Sequence, residues 1–211
     1  KGKAVILCGG TGLYLEAAIK KYNFPNAPLN NELRRELESF TDIELARLLV
    51  KLKPLHNTTD TKSRERLLRA IEIEKTRNET RNEIISWPNY EPLVFGLALR
   101  RTEVTQRITL RLKDRLKDGL IEEVEELIQQ GVSKERLLFY GLEYKFITSY
   151  INKSITYEEM FRLLNTAIHQ FSKRQMTWFR GMERKGIKIH WIDGTLPVEE
   201  KTSVIQRLLN Q

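Results

Sequence analysis

The chain has 211 residues, 40% of them hydrophobic, with 36 Lys plus Arg against 28 Asp plus Glu and a formal net charge of +8. That length and apolar content suit one well-cored domain with a small insertion. The single cysteine, Cys8, excludes a disulfide framework and a cysteine-rich zinc site, and it makes a reducing compartment the default. No apolar run nears the roughly 20 residues that span a bilayer.

The chain opens Lys1-Gly2-Lys3 without a methionine, and the apolar segment Ala4 to Cys8 is too short for a signal peptide. It reads as a chain entered partway through a domain. Ala4 to Cys8, closed by Gly9-Gly10, is the first of three expected buried strands, and a helix from Leu13 to Lys20 follows directly. Thr41 and Glu44 form a capping box before Leu45, Leu48, Leu49 and Leu52. Leu67, Ala70, Ile71 and Glu74 give another helical period, with Arg66, Arg69 and Arg77 on its flank. The second strand is Leu93 to Leu99. Ile108, Leu112 and Leu116 then precede Gly119, and Leu120, Val124, Leu127 and Ile128 run to a stop at Gly131. Thr156 and Glu159 cap a long helix whose expected buried stripe is Met160, Leu164, Ile168, Phe171, Gln175, Trp178 and Met182. The third strand, Ile187 to Ile192, ends at Asp193-Gly194.

Strands alternating with helices argue for an α/β fold with a parallel sheet covered on both faces. The polar stretch 29–62, with two short helices and His56-Asn57-Thr58-Thr59-Asp60, reads as a helical insertion domain, leaving 1–28 and 63–211 as the core.

Charge is concentrated near the C-terminus. From Lys145 to Lys188 there are nine Lys or Arg against three Glu, a local excess of +6. On the long helix, Lys173, Thr177, Arg180 and Arg184 recur at steps of three or four and share one line of the surface, with Glu183 as the obvious intrahelical partner. Such a row suits a phosphate backbone, since cations neutralise phosphates and release counterions, while a neighbouring aromatic stacks on an unpaired base. An ordinary solvated face stands beside that reading.

Two further places attract anions. The turn Gly9-Gly10-Thr11-Gly12 lies between an expected strand and a helix, where N–H groups and the helix dipole favour negative charge. It is not a Walker A loop, because no Gly-Lys-Ser/Thr follows, and such turns are more often structural than functional. The hydroxyl of Thr11 can bond a phosphate oxygen or an amine. Arg107 and Arg111 lie one helical turn apart beyond the second strand, suited to a diphosphate. Salt bridges from Arg107 to Glu103 and from Arg111 to Asp114 offer an equally good structural reading. His56, His169 and His190 show no ligand spacing, so no metal cluster is expected.

Taken together, these residues resemble the bacterial tRNA dimethylallyltransferases, also called tRNA isopentenyltransferases, over essentially the whole chain. Gly9-Gly10-Thr11-Gly12-Leu13-Tyr14-Leu15 looks like the family's G-G-T-G-L-Y-L turn, and Arg66 to Ile73 resembles its R-L-x-R-A-L-E-V helix. Arg107-Ile108 through Arg111 is similar to R-I-x-x-R, Gly119 to Val124 to G-L-x-x-E-V, and Lys173 to Trp178 to K-R-Q-x-T-W.

The resemblance implies a P-loop-kinase-like, nucleotide-binding core, with the sheet incomplete here. It also implies transfer of a dimethylallyl group from dimethylallyl diphosphate to N6 of the adenosine 3′ of the anticodon, with Mg²⁺ assisting. Thr11 would lie at the reacting centre beside Gly9, Gly10 and Gly12, and Arg111 with Arg107 would bind the diphosphate. Arg66, Arg69, Lys145, Lys173, Arg174, Gln175, Thr177, Trp178 and Arg180 would hold the tRNA anticodon stem-loop. A cytoplasmic, monomeric enzyme without membrane contact is implied.

The chain departs from that pattern in places. The family's P-loop and the following segment with the catalytic aspartate are not in this sequence, so the chain by itself is expected to be inactive and to lack the magnesium ligands. Gly141-Leu142-Glu143-Tyr144-Lys145 replaces the G-Y-K-E turn, His169 stands where arginine is usual, and Ser63 where aspartate is. A non-catalytic tRNA-binding module is the alternative reading, and a small-molecule kinase relative a third, which has no need of the basic helix.

Overall fold

The computed structural model of the chain describes residues 5–24, 26–55, 60–79 and 87–210. Among them ten helices and two strands form two compact units, one made of residues 1–19 and 91–211 and the other of residues 20–90. Ala4 of the first expected strand and His56 to Thr59 lie outside the described residues.

The unit of residues 20–90 is helical. It contains α2 (Asn31–Glu36), α3 (Asp42–Leu52) and α4 (Arg64–Glu79). The capping box at α3 is present: the Glu44 backbone N–H donates to Thr41 Oγ1 at 3.3 Å, and Glu44 Oε2 accepts from the Thr41 backbone N–H at 2.7 Å. The leucines of the α3 period do what the spacing predicts, since Leu45 and Leu49 are fully buried against Leu33, Leu37, Leu67 and Ile71. Each such leucine contributes roughly 1.5–3 kcal/mol by leaving water. The insertion expected at 29–62 falls inside this unit, which also takes in α4.

The other unit begins with α1 (Gly12–Ile19) and resumes at β1 (Val94–Ala98). Then follow α5 (Arg101–Lys117), α6 (Leu120–Gln129), α7 (Lys134–Tyr140), α8 (Leu142–Ile151), α9 (Tyr157–Arg184), β2 (Ile189–Asp193) and α10 (Val198–Leu209). The strands pair in parallel, Val94 opposite Ile189 through to Ala98 opposite Asp193. A parallel pair needs a crossover, and α5 to α9 supply it. Leu112, Leu120, Val124, Leu137, Ile147, Met160 and Leu164 form the core of this helical crossover. No helix among the described residues is long and apolar enough to cross a membrane.

The expected sheet is therefore cut back. Residues 5–8 are not a strand, and Val5 is 94% exposed and Ile6 88%. Cys8 is also exposed rather than interior. A buried parallel strand needs neighbours to take its N–H and C=O groups, and among the described residues β1 and β2 pair only with each other. Nor is the sheet covered on both faces, since Leu97 of β1 is exposed.

The buried stripe of α9 needs a similar correction. Met160, Leu164 and Met182 are buried and Ile168 is partly so, but Phe171 and Trp178 are exposed. The apolar period predicts one continuous seam, whereas the helix meets different neighbours along its 28 residues, α8 and α5 among them and then α1.

Candidate functional site

The Gly-rich turn and α9 meet directly. The Thr11 carbonyl accepts from the backbone N–H of Tyr14 at 3.0 Å and of Leu15 at 3.2 Å, so Thr11 starts α1 and its exposed side chain stands at the helix entrance. The Gln175 side-chain amide donates to the Gly10 carbonyl at 2.9 Å. Any side chain at Gly10 would run into that amide, and one at Gly12 would run into the Trp178 ring. Two glycines of the motif are thus explained by close approach to α9.

Farther along the same pair of helices, Glu16 is 1% exposed and accepts from Lys185 Nζ at 2.7 Å. Glu16, Lys173, Arg174, Thr177, Trp178, Gly181 and Lys185 line an open depression of about 440 Å³.

The opposite face of α9 carries the expected cation row. Lys173, Thr177, Arg180 and Arg184 are all exposed, and at about 100° per residue they turn away from Gln175, Trp178 and Met182, while Lys173 and Thr177 reach the rim of the depression. Glu183, expected to offset the row, instead accepts from the Trp191 indole N–H at 2.8 Å. Among the described residues Lys173, Arg180 and Arg184 make no ion pair, so their charge is available. The Arg174 guanidinium lies 5.9 Å from the Phe171 ring centroid.

Arg107 and Arg111 are exposed on α5, which packs on α9. The structural reading of this pair fails among the described residues. Glu103 accepts from the Arg100 backbone N–H at 3.1 Å and caps α5, and neither Arg107 nor Arg111 forms an ion pair. Two uncompensated guanidiniums one turn apart offer bidentate bonds to phosphate oxygens. His169 ties α5 to α9: its Nε2 lies 3.2 Å from the Thr105 carbonyl and 3.3 Å from Thr109 Oγ1.

Other nominated residues are differently engaged. Lys145 is exposed on α8, with Nζ 5.7 Å from the Phe146 ring centroid. Its neighbour Tyr144 donates to Glu123 at 2.8 Å, and that bond, with burial, raises the phenol above its ordinary range. In the helical unit Arg66 is exposed on α4, while Arg69 bonds Glu72 at 3.1 Å and the Ala27 carbonyl at 2.7 Å. Sequence reasoning passed over the centre of that network. Glu72, with its side chain 1% exposed, also accepts from Arg34 Nε at 2.6 Å and from the Asn30 backbone N–H at 3.3 Å. No local signal marks the pair, since Arg34 and Glu72 are 38 positions apart.

These features define an α/β chain in which a Gly-rich turn is held by one face of a helix whose other face is basic. Comparison with known proteins supplies the family. Residues 1–182 match the family described as IPP transferase. The tRNA dimethylallyltransferase 2 of Bacteroides fragilis is 47% identical over 211 residues, covering all of this chain and 69% of that protein. Its Porphyromonas gingivalis namesake is 48% identical over 208 residues, 99% of this chain and 69% of that protein. A solved tRNA isopentenylpyrophosphate transferase from Staphylococcus epidermidis aligns with TM-score 0.57 at 25% identity, over 95% of this chain and 67% of that one. One from Bacillus halodurans, with TM-score 0.56 at 24% identity over 95% of this chain and 63% of that one, shares the fold. The chain belongs to the IPP transferase family.

Proposed function

We propose that this chain serves tRNA dimethylallylation: transfer of a dimethylallyl group from dimethylallyl diphosphate to N6 of the adenosine 3′ of the anticodon. The observation that carries the reading is the two-faced helix α9. Gln175 and Trp178 hold the Thr11 turn from one side, and Lys173, Arg180 and Arg184 stand unpaired on the other. Whole-chain identity near 47% to proteins named tRNA dimethylallyltransferase supports the same reaction.

The chemistry accounts for the residue types. In the transfer the N6–C1 bond forms, the C1–O bond to diphosphate breaks with its electron pair on oxygen, and N6 loses a proton. The N6 lone pair is delocalised into the adenine ring, so the amine needs a base and a stabilised leaving group. Arg107 and Arg111 are suited to the diphosphate because no carboxylate among the described residues competes for them. The Thr11 hydroxyl, exposed at the entrance to α1, is suited to bonding the amine or a phosphate oxygen. The adenine must leave its stack to be reached, and a basic helix with exposed Trp178 and Phe171 supports an extruded base and its flanking phosphates.

Mg²⁺ would assist by neutralising the diphosphate; among the described residues no group of three His, Cys, Asp or Glu side chains comes together. We read the two-strand parallel sheet as part of a P-loop-kinase-like core, which its parallel pairing and helical crossover support.

The test is to incubate the complete gene product with dimethylallyl diphosphate and an anticodon stem-loop carrying adenosine 3′ of the anticodon, then digest the RNA and identify nucleosides by mass. N6-dimethylallyladenosine at that position is expected. Unmodified RNA, with the protein folded and the stem-loop bound, would reduce the chain to a tRNA-binding module.

A further inference from the structure

Beyond the residues named for the reaction, we infer that Glu16 is a positioning residue. Anchored by Lys185, it fixes α1 along α9, so that the helix touching tRNA also sets the position of Thr11. This inference rests on the tRNA prenyltransferase reading above.

Among the described residues three contacts lie along one line between the two helices. Gln175 bonds the Gly10 carbonyl before α1, Trp178 lies against Gly12 at its first residue, and Lys185 bonds Glu16 one turn further on. Gln175, Trp178, Met182 and Lys185 follow at steps of three and four and so share a face of α9. Thr11 sits between the first two contacts, and its hydroxyl makes no hydrogen bond among the described residues. No side-chain hydrogen bond among the described residues fixes the hydroxyl, so its place depends on how α1 lies on α9.

The Glu16–Lys185 contact is the charged one of the three. Glu16 is 1% exposed, and a carboxylate withdrawn from water is costly without a cation, which Lys185 supplies at 2.7 Å. Lys185 is half exposed and lies beside Arg184, the last cation of the outer row. The pair joins residues 169 positions apart, at the first and last parts of the RNA-side machinery. Because α9 is a continuous helix from Tyr157 to Arg184, RNA held on its outer row is held in register with the turn on its inner face. A reacting group displaced by about 1 Å loses about 100-fold in rate, so a fixed register matters for turnover more than for binding.

The experiment measures steady-state prenyl transfer by the complete gene product, using Glu16→Gln, Lys185→Met and Lys185→Arg, each confirmed folded at the assay temperature by circular dichroism. Glu16→Gln and Lys185→Met should lower kcat about tenfold and leave KM for the stem-loop within about twofold, and Lys185→Arg should restore most of the rate. In a Thr11→Ala background Glu16→Gln should add little further loss, because both changes act through one group. An unchanged kcat in Glu16→Gln, a loss confined to KM, or full additivity with Thr11→Ala would each overturn the inference while leaving the prenyltransferase reading intact. If either Glu16→Gln or Lys185→Met does not fold, the double variant Glu16→Gln with Lys185→Met, which leaves neither charge stranded, takes its place beside Lys185→Arg. No transfer by the wild-type protein would overturn the functional reading and this inference with it.

Discussion

Trp178 lies so close to Gly12 that a methyl group at position 12 would overlap its indole ring. The ring is the rigid part of the side chain, so relief requires the helix or the turn to move. Gly12→Ala should therefore destabilise the chain by about 1–3 kcal/mol, the usual cost of overpacking, although alanine is the better helix former. Thermal melts of Gly12→Ala, Trp178→Ala and the double variant check this. The double variant should lose clearly less than the sum of the singles, because Trp178→Ala removes the obstacle.

The Glu72 network gives the helical unit a pH dependence. Burial pushes the carboxyl up, but bonds from Arg34, Arg69 and the Asn30 backbone N–H outweigh it and hold Glu72 below its ordinary range. A lowered carboxyl stabilises above its unfolded value and loses that contribution as pH falls through the folded one. Stability should accordingly decline below about pH 4.5, the ordinary value for Glu. Glu72→Gln should flatten that part of the profile, and Glu72→Ala should cost about 1–3 kcal/mol at neutral pH, because Arg34 loses its bond to Glu72 but keeps its ion pair with Glu65. Urea unfolding between pH 3 and pH 7 would show it.

Lys153 closes α8 in the left-handed region at φ 57°, where a Cβ costs about 1–2 kcal/mol. Lys153→Gly should raise stability by up to about 1 kcal/mol after the entropy cost of glycine, measured as a shift of the urea midpoint at constant slope.

Arg180 stands on the outer face of α9 with no ion pair among the described residues. If it neutralises one phosphate, Arg180→Ala weakens stem-loop binding and reduces the slope of log K against log salt by about one. A titration series in potassium chloride reads both, and an unchanged slope returns Arg180 to an ordinary solvated face.

Local signals in this sequence are legible where the structure is local. The capping boxes at Thr41 with Glu44 and Thr156 with Glu159 locate the starts of α3 and α9 to the residue, because the bonds lie within four positions. The apolar runs around Val94 and Ile189 became the parallel pair. Residues 5–8 have the same composition yet form no strand, since pairing depends on a partner and not on the run itself. Helices α7, α8 and α10 are not among the elements expected from the sequence, although Ser133 caps α7 by accepting from the Arg136 backbone N–H at 3.3 Å. Of the candidate site, the basic row was visible as a period and the Thr11 turn as a motif. Their contact through Gln175 and Gly10, 165 positions apart, was not, and neither was the Glu16–Lys185 pair.

The proposed prenyl-transfer site stands or falls on Thr11 and Arg111. The direct measurement is the single-turnover rate of transfer to an anticodon stem-loop by the complete gene product carrying Thr11→Ala, Arg111→Ala or Lys153→Ala. Losses of about 100-fold are expected for the first two, in line with removal of one group that stabilises developing charge, with Lys153→Ala close to wild type. Equal rates for all three variants would contradict it.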